Sequence, residues 1–180
     1  MNKNELRAKM LKIRQKLSSE ARVQAEKDLV DAILALDLWK QHHQIGIYRS
    51  TSQELSTRLL IEAGWDQGKS IYLPTLQPGQ QEMGFSHFRP NDKLVRNIFG
   101  IDQPDASKKD DSQRLSLIIV PAVCVDARGH RLGYGKGFYD RFLRGSKGRL
   151  ATIAIAFACN RVEKIPNEPH DMKCDLSVTV

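Results

Sequence analysis

The string Arg131-Leu-Gly-Tyr-Gly-Lys-Gly-Phe-Tyr-Asp-Arg141 carries the residue types that bind phosphate. Gly133, Gly135 and Gly137 alternate along it, which frees the backbone to adopt positive φ and to approach a ligand closely. Successive N–H groups in such a loop form an anion nest, and the amino end of a following helix adds about half a positive charge. Arg131, Lys136 and Arg141 supply whole charges beside it. Asp140 has two readings: an acid that complements the helix dipole, or a carboxylate that joins phosphate oxygens around Mg²⁺. Two familiar phosphate loops are excluded. No Ser or Thr follows Lys136, as a P-loop requires, and G-x-G-x-G is not the G-x-G-x-x-G dinucleotide fingerprint.

The charge around this string is concentrated. From Arg128 to Arg149, 22 residues hold seven Lys/Arg and one acid, +6 of the chain's net +7, with six of its 12 glycines. A small phosphate chain is the guest these residues favour. Basic residues with Tyr134, Phe138 and Tyr139 interleaved also suit an RNA-binding patch, since aromatics stack on bases while cations meet phosphates. Spacing discriminates, because such a patch has no need of alternating glycines or of an acid at the fourth position after Lys136. Nucleic acid is therefore not the expected partner.

The string sits between elements that must position it. Leu6, Met10, Ile13 and Leu17 put an apolar stripe on a first helix. Ser18 or Ser19 can cap a second helix with Ala25, Leu29, Ala32, Ile33 and Leu36 inward. Strands are predicted at 45–50, 71–76 (stopped around Pro78-Gly79), 83–88, 115–125, 151–158 and 176–180. Helices are predicted at 55–63, ending before Gly64, and from Phe138 to about Leu143; 92–99 reads as a helical turn and 105–114 as a polar loop. The runs 115–125 and 151–158 are apolar enough to be buried on both faces. Strands alternating with helices predict one α/β domain over 1–180, a three-layer α/β/α sandwich with a largely parallel central sheet and a helical segment at 1–40.

Composition narrows the class further. Length (180 residues), 41 % apolar and 27 % charged residues suit one folded domain rather than a disordered chain. No apolar run approaches the roughly 18–20 residues of a membrane span, and the first residues lack a secretory h-region. Cys124, Cys159 and Cys174 form no metal spacing, and Cys124 and Cys159 sit in apolar runs that predict burial. His42, His43 and His87 read as surface or packing residues, His130 as exposed in a turn, and Trp39 and Trp65 as core aromatics. The expectation is a cytoplasmic protein, monomeric, with no membrane contact.

The segment from Ile119 to Arg141 closely resembles the signature of the 5-formyltetrahydrofolate cyclo-ligase family, also called methenyltetrahydrofolate synthetases. Lys3 to Arg7 is similar to its N-terminal basic element, and Glu54-Leu-Ser-Thr57 to its Glu-x-Asp-Thr element. Pro74, Phe85 and Gly100…Pro104 match weaker landmarks. His170-Asp171-Met-Lys-Cys-Asp175 with Val178-Thr179 matches the C-terminal ending. Four positions depart from the pattern: Ser56 stands for Asp, Ser116 for Asp, Ala122 for Gly and Asn160 for Gln. Ser56 keeps open a regulatory relative that binds nucleotide without cyclising folate.

The resemblance implies a Rossmann-like fold of the NagB/RpiA/CoA-transferase kind. It also implies conversion of 5-formyltetrahydrofolate and ATP, with Mg²⁺, to 5,10-methenyltetrahydrofolate, ADP and phosphate. Residue by residue, it assigns Lys3, Asn4, Glu5, Leu6 and Arg7, with Arg131, Leu132, Gly133, Tyr134, Gly135, Lys136, Gly137, Phe138 and Tyr139, to ATP. Arg131 and Lys136 would be catalytic. Arg49, Glu54, Tyr134, Gly135, Lys136, Gly137 and Phe138 would meet the reduced folate, and Asp140 and Asp171 would hold the metal. Phosphoryl transfer works by positioning and charge neutralisation, so no Ser/His/Asp or Cys/His set is required. None is apparent.

Overall fold

A computed structural model describes residues 1–76, 82–105, 110–146 and 148–180. The expected stop at Pro78-Gly79, part of the polar loop at 105–114, and Lys147 lie outside the described residues. Three helices come first: α1 (Lys3–Gln15), α2 (Ser19–Ala35) and the short α3 (Asp37–Gln41). Asn2 caps α1, accepting from the N–H groups of Asn4 and Glu5, while the Glu5 carboxylate accepts from the Asn2 N–H. This reciprocal box satisfies donors a bare helix end would leave unpaired. Ser18 caps α2 through the Ala21 N–H.

The central sheet contains β1 (Gln44–Ile47), β2 (Ser70–Leu76), β3 (Met83–Phe88), β6 (Leu117–Pro121), β9 (Ala151–Ala156) and β11 (Leu176–Thr179). Between these lie two small pairs of strands, β4 (Val95–Arg96) with β5 (Asp102–Gln103), and β7 (Cys124–Asp126) with β8 (Arg131–Leu132). The central order is β11-β9-β6-β1-β2-β3, all neighbours parallel except antiparallel β2 and β3. A third small strand, β10 (Arg161–Val162), pairs with β7.

Alternation along the central strands sorts their side chains into two cores. Ile45, Ile47, Ile71, Leu73, Leu117, Ile119, Ile153 and Ile155 face α2, Trp39 and α4 (Arg58–Asp66). Tyr72, Phe85, Ile118, Val120, Ala154 and Ala156 face α5 (Phe138–Gly145) on the opposite side. These are the three layers the sequence predicts. Helix α1 packs elsewhere, with Leu6 and Met10 against Cys124 and Leu132 of the small sheet and Val123 and Ile165 beside it. Among the described residues, no helix is long and apolar enough to cross a membrane.

Five expectations are corrected. The run 115–125 is two strands in two sheets, because the chain turns at Ala122-Val123 and β7 pairs with β8 instead of continuing. The helix at 55–63 is α4, and it passes through Gly64, where a Cβ would stand 2.7 Å from Ile71 Cδ1. Gly64 thus permits close helix–sheet approach rather than ending the helix. The expected turn at 92–99 holds strand β4. His130 is buried with its N–H on Asp126, whereas Cys159 is exposed.

Candidate functional site

The chain leaves β1 through α4 toward β2, and leaves β6 through α5 toward β9, on opposite faces and in opposite directions. The gap beyond the carboxyl ends of β1 and β6 is therefore the switch point where doubly wound sheets hold ligands. A cavity of about 670 Å³ opens there. Tyr48, Arg49, Thr51 and Glu54 reach it from the end of β1, Pro121 from the end of β6, and residues 131–141 from the glycine-rich loop and α5. Seven cationic side chains (Lys3, Arg7, Arg49, Arg131, Lys136, Arg141, Arg144) line it against four carboxylates (Glu54, Asp140, Glu168, Asp171). The excess favours an anionic guest. The facing wall is largely apolar, with Pro74, Leu76, Met83, Phe99 and Ile101.

The loop's shape follows from its glycines. Gly135 (φ +94°) and Gly137 (φ +68°) occupy the region L side chains rarely adopt, whereas Gly133 does not. Gly137 is the residue before α5, and no side chain caps that helix, so its first N–H groups carry no side-chain partner. Arg7 reaches over from α1, its Nε donating to Gly133 O at 2.8 Å and its Nη1 to Asn4 Oδ1 at 2.7 Å. Arg131 is buried; it donates to Asp140 Oδ1 at 2.9 Å and to the Met172 carbonyl. Asp140 Oδ1 also accepts the Met172 N–H at 3.1 Å.

Lys3, at the start of α1, meets the far end of the chain. Its Nζ lies 2.6 Å from Asp171 Oδ2 and 3.2 Å from Glu168 Oε2. Burial alone would lower the Lys3 ammonium, but these two carboxylates outweigh it and raise its pKa. Burial would raise Asp171; the Lys3 hydrogen bond and charge hold it below the ordinary carboxylate range instead. Among the described residues, Asp171 clusters with Glu168 and His170, their ligand atoms within 4.8 Å of one another. Asp140 is outside that cluster.

The other end of the cavity is controlled by Glu54. Its Oε2 accepts the Thr51 N–H at 2.8 Å and the Thr51 hydroxyl at 3.0 Å. Burial pushes its carboxyl up, with Thr51 and the charge of Arg14 pulling the other way. Tyr134, opposite, is raised to about 12 by burial and by Glu54. The Tyr139 hydroxyl is buried with no hydrogen-bond partner among the described residues.

The structure brings Lys3, Arg7, Arg49, Glu54, Asp171 and the whole run from Arg131 to Asp140 to one cavity. It does not bring Asn4, Glu5 or Leu6 there: Glu5 belongs to the capping box, Asn4 supports Arg7, and Leu6 is core. The basic run is also divided. Arg131, Lys136, Arg141 and Arg144 line the cavity, but Arg128 pairs with Asp126 and Arg149 donates to the carbonyls of Ser112, Gln113 and Leu115. Buried Arg131 and a structural Arg149 do not make an exposed nucleic-acid surface. Ser56 is outside the lining; its hydroxyl donates to Glu26 Oε1 at 2.6 Å, and the same oxygen accepts the Leu59 N–H at 3.1 Å. A carboxylate therefore does serve the start of α4, supplied by α2.

Sequence reasoning missed two parts. The connection from β4 to β5 swings Phe99 over the loop, its ring 5.8 Å from Phe138 and 5.9 Å from Lys136 Nζ. Asn97 shapes that turn, its Oδ1 accepting the N–H groups of Phe99 and Ile101. Such short polar strands leave no alternation to read. The second is Arg14, 1 % exposed on α1. The spacing Leu6, Met10, Arg14 placed it on the buried stripe, but its charge made Ile13 the more natural choice.

Fold and cavity together define the class: a doubly wound α/β protein with a cation-lined ligand cavity at the carboxyl ends of its parallel strands. The chain belongs to the 5-formyltetrahydrofolate cyclo-ligase family, which it matches over residues 1–180. It is 32 % identical over 174 residues to 5-formyltetrahydrofolate cyclo-ligase of Haemophilus influenzae, covering 94 % of this chain and 93 % of that one. To the Escherichia coli K12 protein of the same name it is 36 % identical over 141 residues, 76 % of this chain and 78 % of that one. Among solved structures, 5,10-methenyltetrahydrofolate synthetase of Aquifex aeolicus superposes with a TM-score of 0.84 at 28 % identity, covering 99 % of this chain and 90 % of that one.

Proposed function

We propose that this chain closes 5-formyltetrahydrofolate to 5,10-methenyltetrahydrofolate at the expense of ATP, releasing ADP and phosphate. The observation that carries the proposal is one cavity with two chemistries: a cation-rich glycine loop beside an apolar wall that leads to Glu54. A formyl oxygen bound to carbon is a poor leaving group. Transfer of the terminal phosphoryl of ATP to that oxygen makes it a good one; N10 of the folate then forms the new C–N bond, sheds its proton, and phosphate leaves with the oxygen. Holding the folate bent turns the second step into an intramolecular one.

The chain's residues divide that work. Lys3, Arg7 and the N–H groups of the loop hold the phosphates, and Arg131 and Lys136 offset charge as the phosphoryl group moves. The apolar wall and Phe99 take the flat rings, while Arg49 and Glu54 meet polar atoms of the pterin. Asp140 and Asp171 offer the hard oxygen donors that suit Mg²⁺, and each is already placed beside a cation of the chain. When bound with ATP, that metal supplies charge neutralisation at the phosphates. We infer a cytoplasmic monomer acting on small molecules.

The test follows methenyl absorbance with purified protein, 5-formyltetrahydrofolate, ATP and Mg²⁺. Product formation dependent on both ATP and Mg²⁺ is expected. Nucleotide binding without product would refute the catalytic assignment and favour a regulatory relative.

A further inference from the structure

Arg14 contributes no surface to the cavity, yet its guanidinium uses all five of its N–H donors, four of them on segments that reach the cavity. Nη1 donates to Gln53 O at 3.1 Å, the carbonyl beside Glu54, and to the Tyr134 hydroxyl at 3.0 Å. Nη2 donates to Ala122 O at 2.7 Å and Val123 O at 3.0 Å, just past β6. Nε donates to Asn160 Oδ1 at 3.1 Å, and Asn160 Nδ2 in turn donates to Met10 O at 3.0 Å on Arg14's own helix. The ring of Phe157 lies 5.4 Å from the guanidinium carbon. We propose that Arg14 is a positioning residue for cyclisation, setting the Glu54 turn, the glycine-rich loop and the end of β6 at fixed distances from one another.

Two physical points favour this over a packing role. Among the described residues Arg14 has no ion pair, and a buried cation without a counter-charge is costly unless it is hydrogen-bonded throughout. Neutral or apolar groups could tie the same segments together at lower cost. The planar fork, by contrast, fixes distance and angle at once, which a flexible ammonium cannot do. The charge also reaches Glu54. That carboxyl is faced by Arg14 from α1, by Tyr48 and Thr51 from its own side, by Tyr134 from the loop and by Tyr139 from α5; of these only Arg14 carries charge. The same α1 carries Lys3 and Arg7 at its start, so one helix holds both ends of the site in register.

The inference rests on the cyclo-ligase reading, and the experiment separates the two. Steady-state methenyl formation is measured for the wild type and for Arg14→Gln, Arg14→Lys and Asn160→Ala, varying each substrate and the pH. Arg14→Gln should raise KM for both substrates about tenfold, the effect of losing hydrogen bonds from a charged group. It should also move the acid limb of kcat/KM upward as Glu54 loses a neighbouring cation. Arg14→Lys should restore the acid limb but not the KM values. Asn160→Ala, which loosens the fork and keeps its charge, should raise KM several-fold with the limb unmoved. If the Arg14 variants do not fold, wild-type KM values in a folded Asn160→Ala would by themselves overturn the proposal. So would loss of kcat alone in Arg14→Gln, with KM and acid limb unchanged. No product from the wild type would overturn both readings; product from the wild type with unaltered variants would overturn only the positioning role.

Discussion

Gly133 and Gly135 are two residues apart in the same loop, yet the structure makes opposite demands on them. A Cβ on Gly133 would meet nothing within 4 Å, and its φ is ordinary. A Cβ on Gly135 would sit at φ +94° and 3.3 Å from the Arg7 guanidinium carbon. Left-handed backbone costs an L residue about 1–2 kcal/mol. The contact with Arg7 adds a smaller amount, because the guanidinium can give by a few tenths of an ångström only by straining its bonds to Gly133 O and Asn4 Oδ1. If Gly135→Ala relaxes to another loop shape, restoring the binding shape must draw that energy from the ligand. The KM for ATP should then rise about 5- to 30-fold, the equivalent of 1–2 kcal/mol. Gly133→Ala should stay within about twofold, below the weakest of these terms. The assay is methenyl formation at saturating folate across ATP concentrations, with thermal unfolding to check that both variants fold. Equal losses in the two variants would refute the reasoning, because the glycines would then be serving proximity to the ligand rather than loop shape.

Other outcomes follow from neighbouring features. Ser56→Ala should keep wild-type kinetics, whereas Glu26→Gln should lose about 1–2 kcal/mol of stability at the start of α4 with activity intact, read by denaturant unfolding and turnover. Asp140→Asn keeps an oxygen for Arg131 and the Met172 N–H but loses the charge; turnover should fall by more than about tenfold with only about 1–2 kcal/mol of stability lost. A fall in activity that merely tracks the folded fraction would leave Asp140 a structural partner of Arg131 and Met172 alone. The Lys3–Asp171 pair has a depressed carboxyl and a raised ammonium, so it stabilises the fold between those two values. The melting temperature of Lys3→Met should lie below wild type at neutral pH, and the gap should close as pH falls through the lowered Asp171 value. A gap independent of pH would show that the pair contributes nothing electrostatic.

What the sequence disclosed and what it hid have physical causes. The glycine-rich loop was legible because its chemistry is local: cations, glycines and an acid within eleven residues of chain. The doubly buried strands were legible for the same reason, as unbroken apolar runs. Ala122-Val123 was not, since a turn made of apolar residues looks like strand until its neighbours are known. Gly64 reads as a stop because a glycine in a helix is costly, and only the nearness of Ile71 shows what offsets that cost. Arg14 was hidden most deeply. Its partners at 53, 122, 123, 134 and 160 are distant in sequence, and a charged residue on a helix is ordinarily solvated.

The ion pair between Lys3 and Asp171 spans 168 positions. Contacts of such separation close late, after the loop entropy between them has been overcome. During synthesis the amino-terminal segment emerges first and must wait for the carboxyl-terminal one. The Lys3 side of the cavity is therefore completed only once the two ends of the chain have met. A chain whose two ends have parted at this pair would grip a nucleotide poorly. Ligand, in turn, would act as a latch: binding only the closed form, it lowers the population of opened molecules in proportion to its concentration over its dissociation constant.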